Sequence, residues 1–289
     1  MPRGKTAPKA VDHQRRGQDR PSETSGKRSK EPSRIVFRVP VLHLVIPFLN
    51  EQATLETVIE RIEQVVWPDG WTVRTTLVDD GSDAAAATSA AALQDRHPDL
   101  ELLRHESNLG KGAALRTGFS HVLEHADDSD LVGVQDADLE YAPSDLVRFI
   151  ETFDQNEAAV DAIVGNRWLE IQPNVIRRAH RIANGFLTDI SNRLTGLKIH
   201  DMECCYKIIR VPMLRRILPD LDENHFAVEP QIAATLARHD ARVREVGVSY
   251  DPRSFAEGKK IGLKDGLEAM TSMIREWRRS RHHRRSDPK

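Results

Sequence analysis

From Val41 to Gln135 short apolar runs alternate with helix-spaced apolar residues, and the runs that follow His43 and Thr75 and precede Gln135 stop at polar motifs. Val41-Leu42-His43-Leu44-Val45-Ile46 ends at Pro47, the pattern of a buried strand. Leu55, Val58, Ile59, Ile62 and Val66 then share one helical face. The spacing predicts strand over 73–78, helix over 84–93, strand over 100–103, helix over 111–123 and strand over 131–135. Strands alternating with helices across short connections predict an α/β fold, a mostly parallel sheet with helices on both faces. Beyond residue 150 the pattern loosens. It predicts strand at 162–165, helix at 175–194 and at 226–237, and an alternating edge strand at 243–248.

Ligands of open α/β sheets sit beyond the carboxyl ends of strands. Three acidic motifs fall there: Pro47-Phe48-Leu49-Asn50-Glu51, Asp79-Asp80-Gly81-Ser82 and Asp136-Ala137-Asp138. In an extended chain alternate side chains point the same way, so Asp136, Asp138 and Glu140 could converge. Three hard oxygen donors suit Mg²⁺ or Mn²⁺, ions that hold substrate phosphates. The competing reading of each acidic pair is a solvated turn, and of Asp79 a helix cap. Gly110-Lys111-Gly112 lacks the spacing of a phosphate-binding P-loop. Its glycines suit a tight turn into a helix with the backbone close to a nucleotide, and Lys111 either meets a phosphate or is solvated.

Composition excludes several classes. No apolar run approaches the ~20 residues that span a bilayer. The two cysteines, Cys204 and Cys205, are adjacent, which excludes a disulfide framework and makes a zinc site untenable. The N-terminus lacks a secretory apolar region, so the expected address is cytoplasmic. Net charge is −2, yet residues 1–34 carry ten basic against four acidic residues and 275–289 seven against two. An acidic body with basic ends suits an anionic membrane surface; nucleic acid is not expected, because the body would repel it. The expected organisation is a disordered basic tail over 1–34, a catalytic domain over 35–262, and an amphipathic helix with basic tail over 263–289. Leu263, Leu267, Met270, Ile274 and Trp277 form that helix's stripe, which either lies in a lipid interface or docks on the domain.

The motifs in their order resemble a family 2 glycosyltransferase with the GT-A fold. They run Val45-Ile46-Pro47-x-x-Asn50-Glu51, Val78-Asp79-Asp80-Gly81-Ser82, Asn108-x-Gly110-Lys111-Gly112 and Asp136-Ala137-Asp138. Gly165-Asn166-Arg167, Asp201-Met202-Glu203-x-x-Tyr206-Lys207, Phe226-x-x-Glu229-Pro230 and Gly258-Lys259-Lys260-Ile261-Gly262 resemble dolichyl- and polyprenyl-phosphate hexosyltransferases, the dolichol-phosphate mannosyltransferase type. The resemblance implies a nucleotide-sugar donor lined by Pro47, Asn50, Glu51, Asp79, Asp80, Lys111, Asp136 and Arg167. It implies Mn²⁺ or Mg²⁺ on Asp138 and Asp136, with Glu140 where the family often has Gln. It implies a polyprenyl or dolichyl phosphate acceptor held by Arg177, Arg253, Lys259 and Lys260, and catalytic roles for Asp136, Asp138, Asp201, Arg167 and Lys259. The loop from Arg253 to Gly262 could close over the donor.

A phosphate acceptor needs no general base, because its second pKa is about 6. A hydroxyl acceptor would, with Asp201 as the base. The expected reaction is transfer of one hexose, mannose or glucose, from a GDP- or UDP-linked donor with inversion, by an enzyme peripheral on the cytoplasmic membrane face. Two alternatives stand beside it: a soluble hydroxyl acceptor, and binding of nucleotide sugar or nucleic acid without turnover.

Overall fold

The computed structural model describes residues 38–155, 159–169 and 175–252, and near the C-terminus 271, 274–276 and 278–279; over 175–180 it describes the backbone alone. The basic tail over 1–34 and the loop Arg253–Gly262 lie outside the described residues.

Seven strands form one sheet in the order β3-β2-β1-β4-β6-β5-β7. β1 (Val41–Phe48) is buried at all eight positions, as its run, apolar but for His43, suits a central strand. It pairs in parallel with β2 (Thr72–Asp79) on one side and β4 (Leu131–Val134) on the other, and β2 pairs in parallel with β3 (Leu100–Arg104). β6 (Lys207–Arg210) runs antiparallel to both β4 and β5 (Ala162–Asn166). β7 (Val243–Gly247) lies at the sheet edge, parallel to β5, where its alternating sequence placed it. The sheet is therefore mixed and mostly parallel.

α1 (Leu55–Glu63) buries Leu55, Val58, Ile59 and Ile62. It stops before Val66, which is 89% exposed, so the expected fifth member of that face is not on the helix. α2 (Ala84–Arg96) and α3 (Lys111–His125) follow β2 and β3, and α3 packs on β1 and β2. α4 (Leu146–Gln155) buries Leu146, Phe149, Ile150 and Phe153 at helical spacing. α5 (Val175–Thr195), α6 (Val211–Ile217) and α7 (Val228–Arg238) complete the described helices before residue 252. Among the described residues no helix is long and apolar enough to cross a membrane.

A buried contact between Asp130 and His43 lies at the end of the sheet opposite the polar motifs. Asp130 is fully buried just before β4, accepts a 2.9 Å bond from the Val41 amide, and lies 3.3 Å from His43 Nε2. That contact fixes where β1 and β4 begin. Their carboxyl ends then emerge side by side, with Phe48 in register with Asp79 and Val45 with Val134.

Candidate functional site

The loops after β1 and β2 are knitted together. Asn50 takes a left-handed conformation (φ 57°), an option its short amide tolerates. Its amide donates to Ser82 Oγ at 2.9 Å, and its Oδ1 accepts from the Asp83 amide at 2.8 Å. Glu51 begins the turn into α1, its carbonyl accepting from the Thr54 and Leu55 amides. Asp79 is buried and accepts from the Ser82 amide at 2.8 Å, with Arg104 3.4 Å from its other oxygen. The helix cap expected of Asp79 is supplied by Asp83, whose carboxylate accepts from the Ala86 amide. Asp80 accepts from the Leu109 and Gly110 amides at 3.0 and 2.8 Å and sits 2.7 Å from His105 Nδ1. Both aspartates thus brace turns at the strand ends.

Gly110 and Gly112 make room for protein. Gly110 has φ 99°, and a Cβ there would lie 2.2 Å from the Asn224 carbonyl oxygen. A Cβ on Gly112 would lie 2.1 Å from the Glu223 carbonyl oxygen. The Asn224 carbonyl accepts from the Gly112 and Ala113 amides at 2.7 and 3.2 Å. The expected tight turn into α3 is present at Gly110, and the 223–224 segment takes the Gly112 and Ala113 amides among the free N–H groups at the start of that helix.

The acidic motif follows β4 as a turn. The strand ends at Val134 and Leu139 is left-handed (φ 64°), so the alternation argument for Asp136, Asp138 and Glu140 does not apply. Gln135 is fully buried; its Nε2 donates to the Asp136 carbonyl, and its Oε1 accepts from Tyr206 Oη at 2.6 Å. Asp138 Oδ1 accepts from the Glu140 amide at 3.0 Å, while Glu140 Oε2 accepts from Tyr250 Oη at 2.8 Å. Among the described residues no three His, Cys, Asp or Glu side chains form a metal-holding group. Asp136 and Asp138 remain as two hard oxygen donors on one turn. Two carboxylates plus substrate phosphates are the donor set Mg²⁺ commonly takes, so the residues fit such an ion without Glu140. A cationic group already stands at Asp136: Lys111 Nζ lies 2.8 Å from its Oδ1.

Behind that turn lies a buried array of charges. Lys111, the first residue of α3, also reaches Glu229 Oε1 at 2.8 Å, and Lys207 Nζ lies 3.5 Å from Glu229 Oε2. Lys111 is therefore held between two carboxylates, its side chain 14% exposed. Burial alone would lower its pKa, but Asp136 and Glu229 outweigh burial and hold it well above the ordinary lysine value. Lys207 is 1% exposed and donates to the carbonyls of Met202 and Cys204. Arg167, just past β5, forms a bidentate pair with Asp201 at 2.7 Å on each oxygen. Its guanidinium stacks 5.2 Å from the Trp168 ring and 5.1 Å from Tyr250. Asp201 is fully buried; it also accepts from the Arg167 amide and from Asn184 Nδ2. Glu203 has a buried Oε1 with no hydrogen-bond partner, and burial pushes its carboxyl up to about 7 against the pull of Lys207 and Arg167. Burial likewise pushes the Cys204 thiol up to about 12, and both cysteines are free.

Of the expected site residues, the structure brings Asn50, Glu51, Asp79 and Asp80 into the turns at the ends of β1 and β2, with Pro47 inside β1. It joins Lys111 to Asp136, and Arg167 to Asp201. The Arg177 side chain and Arg253, Lys259 and Lys260 lie outside the described residues. Sequence reasoning quoted Glu229 and Lys207 as motif residues without giving them a role, and missed Asn184 and Tyr250. The signal for the first two was a charged residue set among apolar neighbours, at Val228-Glu229-Pro230 and Tyr206-Lys207-Ile208.

Beside the Arg167–Asp201 pair a cavity of about 470 Å³ opens, lined among others by Trp168, Arg181, Gly185, Lys198 and His200. Ile182 and Phe186, one turn apart on α5, are 73% and 60% exposed, and Leu169, next to Trp168, is 65% exposed. On the other flank Glu276 is 2% exposed and pairs with Arg238, while Arg275 and Arg279 pair with Glu223 and Asp222. The described C-terminal turn thus docks through its polar side. Of the stripe, only Ile274 is described, and it is 38% exposed.

A profile described as Glycosyl transferase family 2 matches residues 43–218, more than half of the chain. The chain is 29% identical over 224 residues to the undecaprenyl-phosphate 4-deoxy-4-formamido-L-arabinose transferase of Klebsiella pneumoniae, covering 76% of this chain and 63% of that one. The same-named protein of Edwardsiella ictaluri is 29% identical over 240 residues, covering 82% and 67%. The chain thus spans about two thirds of the length of these relatives. Glucosyl-3-phosphoglycerate synthase from Mycobacterium tuberculosis has a similar fold, with a TM-score of 0.60 at 15% identity over 82% of this chain and 80% of that one. That enzyme has also been solved with Mn²⁺, UDP-glucose and phosphoglyceric acid, with a TM-score of 0.58 at 15% identity over the same shares of the two chains. With the match spanning the strand-end motifs and the Asp136–Asp138 turn, the chain belongs to glycosyltransferase family 2.

Proposed function

We propose that this glycosyltransferase moves one hexose, mannose or glucose, from a GDP- or UDP-linked donor to a polyprenyl phosphate, with inversion at the anomeric carbon. The observation that carries the acceptor is the state of Asp201. Its two oxygens take four donors, from Arg167 and Asn184, and it is fully buried. A carboxylate so occupied is a poor general base, which favours a nucleophile that needs none. A phosphate monoester is such a nucleophile, since it is largely dianionic above its second pKa of about 6.

The chain's own residues have separable tasks in this reading. Asp136 and Asp138 would hold Mn²⁺ or Mg²⁺, an ion that would supply positive charge to a leaving nucleoside diphosphate. Asp79, Asp80 and Asn50 keep the donor-side turns rigid. Arg167, oriented by Asp201 and by its two aromatic neighbours, supplies positive charge between donor and acceptor phosphates. The exposed Leu169, Ile182 and Phe186 give an isoprenoid chain apolar surface near Arg167, while the cavity beside Trp168, lined also by Arg181, Lys198 and His200, presents basic groups to an anionic headgroup. The undecaprenyl-phosphate specificity in the names of the relatives supports the same acceptor. An anionic membrane surface would then meet this side of the protein.

A second reading rests on Glu203. With one buried oxygen unpartnered and a carboxyl near neutrality, it could serve a hydroxyl acceptor as base. The test is a panel of radiolabelled nucleotide sugars with undecaprenyl phosphate and with soluble glycans. Organic-extractable label that falls in Phe186→Glu, with its thermal melt unchanged, supports the lipid acceptor. Label on soluble glycan alone, lost in Glu203→Gln, would replace it with the second reading.

A further inference from the structure

We propose that Lys111 is a resident counter-ion on the metal-binding aspartate Asp136, and that Glu229 is the carboxylate that draws it away when a divalent ion binds. This rests on the metal-dependent reading above. Lys111 Nζ lies 2.8 Å from Asp136 Oδ1 and 2.8 Å from Glu229 Oε1, and its side chain is only 14% exposed. The ammonium therefore stands where the charge of a metal ion on Asp136 would be felt at short range with little screening. Two cations cannot share one carboxylate in that setting without repulsion, so one must give way.

Glu229 is built to receive the displaced group. It sits in the first turn of α7, is 5% exposed, and has a lysine near each oxygen. Yet neither oxygen has a well-aligned hydrogen bond. Lys207 cannot improve its own bond to Glu229 readily, because it is committed to the Met202 and Cys204 carbonyls. Lys111 can: an ammonium carries three donors on a flexible stem. Without metal, the carboxylates Asp136, Asp138 and Glu229 exceed the lysines Lys111 and Lys207 by one charge. A divalent ion alone would invert that net charge, whereas an ion arriving with a donor diphosphate would leave it unchanged. Metal and donor should accordingly bind cooperatively, with the coupling set by Lys111.

The test is Mn²⁺ affinity measured without nucleotide sugar, from the electron paramagnetic resonance of free Mn²⁺. It uses the full chain, Lys111→Met, Glu229→Gln and the double variant. The expected result is Mn²⁺ binding tightened about tenfold or more in Lys111→Met, weakened severalfold in Glu229→Gln, and in the double variant equal to Lys111→Met. Lys111→Gln, which keeps polar bonding and drops the charge, should behave like Lys111→Met and covers the case in which the latter does not fold. Unchanged or weaker Mn²⁺ binding in both Lys111 variants would overturn the proposal. So would an effect of Glu229→Gln that persists without Lys111. Lipid-linked label that still forms alongside such a result would leave the transferase reading standing; absence of label with every acceptor would overturn that reading instead.

Discussion

Replacing Asp201 with Asn separates a brace from a base. The side chains are nearly isosteric, so no cavity arises. What is lost is the charge opposite Arg167, whose side chain is 12% exposed while that of Asp201 is fully buried. The Asn amide would also turn an N–H₂ toward the guanidinium, donor against donor. Breaking one side of a buried pair costs about 3–5 kcal/mol. The aromatic faces of Trp168 and Tyr250 still hold the cation, each contact being worth roughly 0.5–2 kcal/mol, which places the expected loss near the lower end, about 3 kcal/mol. For a domain of this size that is a melting temperature lower by roughly 6–12 °C. Thermal unfolding followed by circular dichroism reads it directly, with lipid-linked transfer assayed in parallel at a temperature where the variant is folded. A brace loses stability and activity together, and Arg167→Lys should do the same. A melt within about 2 °C of the parent, with transfer abolished, would refute the reasoning and make Asp201 a base.

Two further outcomes follow from local geometry. Gly112→Ala puts a Cβ 2.1 Å from the Glu223 carbonyl oxygen, so the 223–224 segment must move off α3. Overpacking of this kind costs about 1–3 kcal/mol, read as a lower urea midpoint, whereas Gly185→Ala on the open face of α5 should raise that midpoint, since Ala is favoured over Gly inside a helix by about 1 kcal/mol. Glu203 has a folded pKa raised from 4.5 to about 7, so its contribution is fully present below the unfolded value and is lost as pH rises through the folded one. Between about pH 5 and pH 8 that loss is on the order of 3 kcal/mol. Glu203→Gln should remove it, so the variant gains stability relative to the parent as pH rises; parallel urea curves at both pH values would contradict the assignment.

Much of this was legible in the sequence because it depends on local pattern. The apolar run of β1, interrupted by His43 alone, and the alternation of β7 identify a central and an edge strand without any tertiary information. The strand-end placement of Asp79, Asp80 and Asp136 followed from the same runs. What failed were inferences that needed the partner across space. Asp136, Asp138 and Glu140 were expected to converge on the assumption of extended backbone, but the strand stops at Val134 and Tyr250 claims Glu140 from 110 residues away. Asp79 was offered as a cap, yet Asp83 has the capping geometry. The tight turn expected of the glycines around Lys111 is there, but nothing local announces that Asn224 packs against it. Lys111 was left between phosphate and solvent because Glu229 lies 118 positions on in the chain. The antiparallel β6 was missed for a related reason: four residues between a turn and a short helix carry too little period to read.

The central claim is a metal-assisted transfer centred on the Asp136–Asp138 turn with a lipid phosphate as acceptor. Its most direct test is transfer of radiolabelled sugar to undecaprenyl phosphate in the presence of Mn²⁺, comparing the parent with Asp138→Ala. The prediction is organic-extractable label from one nucleotide sugar with the parent and none with the variant, whose circular dichroism stays that of the parent and whose melt falls by a few degrees at most for the lost bond to the Glu140 amide. Undiminished label from folded Asp138→Ala would contradict it.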